Sequence, residues 1–146
     1  MTRAINQAGL DLIKSFETCR LEAYLPTAED RPTIGWGHTG PDVALGDVCT
    51  QDQADAWLRA DLEWAERAVE ECATVQLTDN QFAALVSIAF NIGAANFERS
   101  TLLRDLDAGE TDAAAACFLA WDRQRGAVLP GLERRRAAER ALFLTA

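Results

Sequence analysis

A chain of 146 residues, with 49% apolar and 25% charged side chains, has the make-up of one folded domain and excludes a disordered segment. Its formal net charge of -9 excludes nonspecific nucleic-acid binding, because attraction to phosphates requires a basic surface. No window approaches the roughly 18 uninterrupted apolar residues of a membrane span, and the amphipathic start MTRAINQAGLDLIKSF does not read as a signal peptide, so no membrane anchor is expected.

The charge is uneven. From Arg123 to Arg140 the chain carries six of its fourteen basic residues against two acids, which would either hold an anionic polymer or solvate the outer face of a last helix. Cys19, Cys49, Cys72 and Cys117 are widely separated, with no C-x-x-C pair and a single histidine in the chain, so no metal site is expected. Reduced, partly buried thiols are the expectation for a chain made in a cytoplasm.

From Ala4 to Glu17, Ile5, Leu12, Ile13 and Phe16 gather on one side of a helical wheel opposite Gln7, Asp11 and Lys14. Glu17 falls at the border of the apolar face, where a carboxyl can serve as a general acid. Periodicity alone favours the plainer reading, a surface glutamate at a fraying helix end. Between Arg20 and Trp36 the pattern alternates, and Pro26 and Pro32 bracket TAEDR as a loop. This predicts a small β-hairpin or three-stranded sheet that must lean on a helix. Gly35, Gly37 and Gly40 suit tight turns, or a ligand lying against the strand.

Thr50 and Gln53 form a capping box before a helical pattern that runs through Cys72, a connector between lobes and the back wall of any cleft between them. Four further helices are predicted. Thr78 and Gln81 repeat the box before FAALVSIAFNIG; Ser100 caps TLLRDLDAG; Thr111 or Asp112 starts DAAAACFLAWDRQ, ended by Gly126; and ERRRAAERALFL follows Pro130 and Gly131. The expected core is Ala84, Leu85, Ile88, Phe90, Leu102, Leu103, Phe118, Trp121, Leu142 and Phe143.

Three chemistries compete for the polar residues. A nucleophile needs a base, His38 is the only imidazole, and nothing around Ser15, Ser87 or Ser100 resembles a nucleophile elbow. A metal centre has few ligands to draw on. A pair of carboxylates flanking a glycosidic bond, with a hydroxyl to hold water, matches Glu17, Glu29, Asp30 and Thr33 in residue type and proximity.

The run ETCRLEAYLPTAEDRPTIGWGHT, from Glu17 to Thr39, resembles the catalytic signature of the phage-type lysozymes, glycoside hydrolase family 24. The resemblance continues in FNIG from Phe90, FERSTLL from Phe97, Trp121, and PGLERRRAAE from Pro130, in family order over nearly the whole chain. It implies one α+β, two-lobed lysozyme-like domain over 1–146: a small β lobe at about 18–49, a connecting helix at about 50–72, and a helical lobe at about 73–146 joined by the N-terminal helix 4–17. It also implies an endolysin that hydrolyses the β-1,4 bond between N-acetylmuramic acid and N-acetylglucosamine of peptidoglycan, without a cofactor. A peptidoglycan-binding module without hydrolysis and a chitinase-like hydrolase are the alternatives.

Carried over residue by residue, the resemblance makes Glu17 the general acid and Thr33 the residue that positions the attacking water. The usual family aspartate is replaced by Pro26. Asp30 is the substitute candidate, with Glu29 and Thr27 behind it. Gly37, Thr39, Phe90 and Asn91 match positions lining the saccharide groove, Arg134 and Arg135 are the candidates for an arginine set against the acid, and His38 matches a structural histidine. The resemblance further implies glycan strands as partner, a separate holin-type membrane permeabiliser, action as a monomer from the bacterial cytoplasm, and a phage or prophage origin.

Overall fold

The computed structural model describes residues 3–146; Met1 and Thr2 lie outside the described residues. The class is α+β, with eight α-helices and two small antiparallel sheets among these residues. Two compact units are present, one spanning Lys14–Glu63 and the other joining the segment ending at Ile13 to Trp64–Ala146.

In the unit Lys14–Glu63, β1 (Arg20–Tyr24) pairs antiparallel with β2 (Thr33–Gly35), Arg20 opposite Gly35 and Tyr24 opposite Thr33, with an irregularity between. A third extended stretch adds only a bridge between Glu22 and Val48, fixed by Ala23 N–H to Asp47 O at 2.9 Å and Cys49 N–H to Leu21 O at 2.8 Å. So small a sheet needs support. Ala23 and Ile34 supply it by packing with Val43, Cys49 and Ala54, flanked by Trp36 and Trp57. Gly35 permits the approach to the helix: its φ is +66°, and a β-carbon there would lie 3.1 Å from Ala54 Cβ.

The Thr50 capping box opens α2 (Gln51–Asp61), with both reciprocal bonds to Gln53 formed. The single helix expected over 50–72 is instead divided, α3 running Glu63–Cys72 after a break at Leu62. Apolar spacing could not signal this break. Leu58, Leu62 and Ala65 are all buried across it, and Leu62 keeps near-helical torsions of -79° and -14°.

The other unit holds α1 (Gln7–Phe16) as far as Ile13, with Gly9, Leu10 and Ile13 buried. A β-carbon at Gly9 would come within 2.8 Å of Ala83 Cβ, so the missing side chain is what admits this contact. Helix α4 (Asp79–Ile92) begins with the Thr78–Gln81 box and buries every residue from Phe82 to Ala89. A helix apolar on all sides has to be the centre of its unit. It packs against α8 (Pro130–Phe143), which starts with a proline whose missing N–H costs nothing at that position.

Between them run α5 (Ala94–Glu98), α6 (Thr101–Asp107) and α7 (Thr111–Cys117), α5 being a short helix absent from the sequence reading. Ser100 Oγ caps α6 by accepting from Leu103 N–H at 3.1 Å and donates to Phe97 O at 2.7 Å. The helix expected to continue through Gln124 stops at Cys117, tightens into a 3-10 turn over Phe118–Ala120, and gives way to a hairpin of β3 (Arg123–Gln124) and β4 (Ala127–Val128). Arg125 and Gly126 have φ of 53° and 81°, the pair of positive values that a two-residue type I′ turn demands. Of the expected core, Phe90, Trp121 and Leu142 are only half-buried; the other seven are buried.

Candidate active site

Glu17 is the first residue after α1, so the end of that helix sets where its carboxyl begins. It lines a groove of about 670 Å³ together with Thr33, Asp30, Gly37 and Thr39, five of the positions singled out by sequence. Gly37 faces the carboxyl closely: a β-carbon at that residue would lie 3.8 Å from Glu17 Oε2. Tyr24, Pro26, Glu29 and Arg31 complete the wall, so Pro26 stands in the groove itself while Glu29 and Asp30 bring two carboxylates from the adjoining loop.

Thr33 is 5% exposed, and its Oγ1 donates to Arg31 O at 3.0 Å. That bond commits the hydroxyl proton and leaves the oxygen's lone pairs as acceptors, which is the polarity needed to hold a water by one of its hydrogens. Asp30 is exposed, on a turn closed by its N–H to Thr27 O at 3.1 Å.

The TIGWGH segment is held from both sides. Ile34 and His38 exchange backbone hydrogen bonds at 2.9 and 2.8 Å, and the positive φ of Gly35 and Gly37 allows the reversal. Trp36 Nε1 donates to Asp55 Oδ1 at 2.7 Å, Lys14 Nζ lies 3.3 Å from the same carboxylate, and the Lys14 ammonium sits 5.4 Å from the Trp36 ring centroid. The Trp36 hydrogen bond is the main reason the Asp55 carboxyl is held below its ordinary value, with Gln51 and Lys14 adding to it against burial. His38 is occupied likewise: its ring stacks on Trp57 with centroids 4.7 Å apart, and Nδ1 is 2.9 Å from Asp61 Oδ2.

The remaining candidates belong to the other unit. Phe90 is half-buried with its ring tilted against Trp64 at 6.0 Å, while Asn91 lines a groove of about 320 Å³ with Asn96, Trp121, Arg123, Gln124 and Leu132. Arg134 is exposed, whereas Arg135 is 3% exposed, with Nε 3.3 Å from Glu139 Oε2. Neighbouring Arg136 is fully buried, its Nε 2.9 Å from Glu139 Oε1 and its Nη2 donating to Asn91 Oδ1 at 2.7 Å. Burial pushes the Glu139 carboxyl up and the Arg136 guanidinium down, each opposed by the other's charge.

The family model described as Phage lysozyme matches residues 14–139, from the last turns of α1 through most of α8. The chain belongs to the phage lysozyme family. An endolysin of Bacillus phage PZA is 48% identical over 141 residues, 95% of this chain and 54% of that protein. An endolysin of Acyrthosiphon pisum secondary endosymbiont phage 1 is 43% identical over 97% of this chain and 99% of its own length. Among solved structures, the muramidase domain of SpmX from Asticaccaulis excentricus superposes with a TM-score of 0.89 at 42% identity, over 97% of this chain and 98% of that one. The chain spans about half the length, 54%, of the Bacillus phage endolysins it matches.

Within this phage lysozyme fold, several groove residues carried no signal in the sequence. Tyr24 is placed by the end of β1 and Arg31 by the loop between β1 and β2, and Arg123 and Gln124 by a hairpin that reads as helix from apolar spacing. The Arg125-Gly126 pair was the available clue, since glycine at the second turn position is a hairpin signal. Among the described residues, no group of three or more His, Cys, Asp or Glu side chains could hold a metal ion, and no helix is long and apolar enough to cross a membrane. The four cysteines are free thiols.

Proposed function

We propose that the chain is a muramidase acting as an endolysin, hydrolysing the β-1,4 bond between N-acetylmuramic acid and N-acetylglucosamine of peptidoglycan. The observation that carries this reading is the shared groove, in which the Glu17 carboxyl and the acceptor oxygen of the buried Thr33 hydroxyl line one space. Its likeness to proteins named endolysins and to a muramidase domain supports the same reading.

Glu17 donates its proton to the glycosidic oxygen as the bond from that oxygen to the anomeric carbon breaks. Water held by Thr33 adds to that carbon and gives its proton to a carboxylate, for which Asp30 is the proposed base and Glu29 the neighbour able to replace it. The proton left on that carboxylate returns through solvent to Glu17, so the net change is one water divided between the two product hydroxyls, and neither cofactor nor metal enters the balance. Gly37 and Thr39, with Phe90 and Asn91, are the proposed saccharide contacts. Arg134 and Arg135 are the proposed candidates for a cation set against the acid.

The proposal extends to the route of action: a monomer that reaches glycan strands after a separate membrane-permeabilising partner has opened the way. The test is release of reducing ends from purified peptidoglycan. Glu17→Gln is expected to abolish release with an unchanged circular dichroism spectrum; full release by that variant would end the assignment.

A further inference from the structure

Arg136 poses a physical question that the reaction does not answer. A guanidinium with no exposure, on a helix facing the centre of its unit, is costly to desolvate, and a well-packed apolar side chain of the same volume is often as stabilising or more so. Its pairing with Glu139 is imperfect: the Nε to Oε1 distance is 2.9 Å, yet neither atom makes an aligned hydrogen bond among the described residues. The aligned bond is the other one, from Nη2 to Asn91 Oδ1 at 2.7 Å, short enough to be charge-assisted. Asn91 is exposed and lines the groove of about 320 Å³ that also contains Asn96, Gln124 and Trp121.

A side-chain amide is nearly symmetric in shape, so an asparagine on a groove wall can offer either its oxygen or its NH2 group. Charge-assisted capture of the oxygen from inside removes that choice. We propose that Arg136 is a positioning residue for substrate binding: it fixes the Asn91 amide with Oδ1 inward and Nδ2 toward the groove. Asn91 thereby becomes a dedicated donor to a carbonyl or carboxylate oxygen of the bound polymer. Glu139, which also takes the Ser87 hydroxyl at 2.5 Å and Arg135 Nε at 3.3 Å, balances the charge at the inner end of the guanidinium, 2.9 Å from its Nε. This inference rests on the peptidoglycan reading, since it names the polarity of one contact to that polymer.

The decisive variant is Asn91→Asp. The carboxylate keeps and strengthens the contact to Arg136 but has no donor to offer the groove. The expected result is a melting temperature equal to or above the parent's, with KM for a soluble peptide-bearing muropeptide tetrasaccharide raised about tenfold and kcat changed far less. Arg136→Lys, which keeps the charge but loses the planar fork, should raise KM several-fold, and Arg136→Lys with Asn91→Asp should be no worse than Asn91→Asp alone. An unchanged KM in Asn91→Asp, or strictly additive effects in the double variant, would overturn the proposal. Should Arg136→Lys fail to fold, the Asn91→Asp arm still decides. Should the parent release no reducing ends, the muramidase reading fails separately, and calorimetric binding of the same tetrasaccharide to the parent and Asn91→Asp proteins still reads the donor.

Discussion

Gly37 is set against Glu17 so closely that a β-carbon on the glycine would lie 3.8 Å from Glu17 Oε2, and its φ of +88° is one that other residues adopt only with strain. Gly37→Ala is therefore expected to cost about 1–2 kcal/mol of stability from backbone strain alone. It should also lower kcat/KM by roughly tenfold or more, because a methyl group enters beside the proposed proton donor. Denaturant unfolding and release of reducing ends measure the two effects; parent-like values of both would refute the placement.

Thr33 and Asp30 line the same groove with different degrees of constraint. Thr33 is buried and its hydroxyl proton is committed to Arg31 O, whereas Asp30 is exposed on a turn. Thr33→Val, which removes the proposed water acceptor and leaves that carbonyl unpaired, should lower turnover on the order of 10²-fold and stability by about 1 kcal/mol. Thr33→Ser should retain most activity. If Asp30 is the base, Asp30→Asn falls as far as Thr33→Val; unchanged turnover in Asp30→Asn would make it a loop residue only.

Gly9 lies inside a helix, where alanine normally stabilises by about 1 kcal/mol. Here the added carbon would meet Ile5 at 2.6 Å and Ala83 Cβ at 2.8 Å. Gly9→Ala is expected to destabilise by about 1–3 kcal/mol, as overpacking does. A raised melting temperature would show that the contact gives way without cost.

Asp55 predicts a pH effect. Its folded carboxyl is held below the ordinary aspartate value, chiefly by the Trp36 hydrogen bond. A depressed folded value means that the stabilisation is present above the unfolded value and is lost as pH falls through the folded one. Asp55→Asn should melt lower than the parent at neutral pH, and the gap should close below about pH 4. Two melting curves against pH that stay parallel through that range would contradict the prediction.

The most local features were legible from sequence. Both capping boxes, Thr50–Gln53 and Thr78–Gln81, form as read, because a cap is completed within four residues and needs nothing from the rest of the chain. The small sheet after Glu17 followed from the change of apolar period, and the α+β class from the resemblance to the phage-type lysozymes. Tertiary packing decided what spacing could not encode. Leu58, Leu62 and Ala65 keep helical spacing across a break in the helix, and the helix after Cys117 yields to a hairpin because Arg125 and Gly126 take a turn conformation. Glu17 was already visible at its helix end, but its neighbours Tyr24, Arg31 and Gly37 come from β1, the β1–β2 loop and the turn after β2, brought together only once the sheet packs on Ala54. Arg136 read as one more surface cation in a basic run. Only the packing of α8 against α4 makes it the buried holder of Asn91, since helical period fixes which residues share a face but not which face is turned inward.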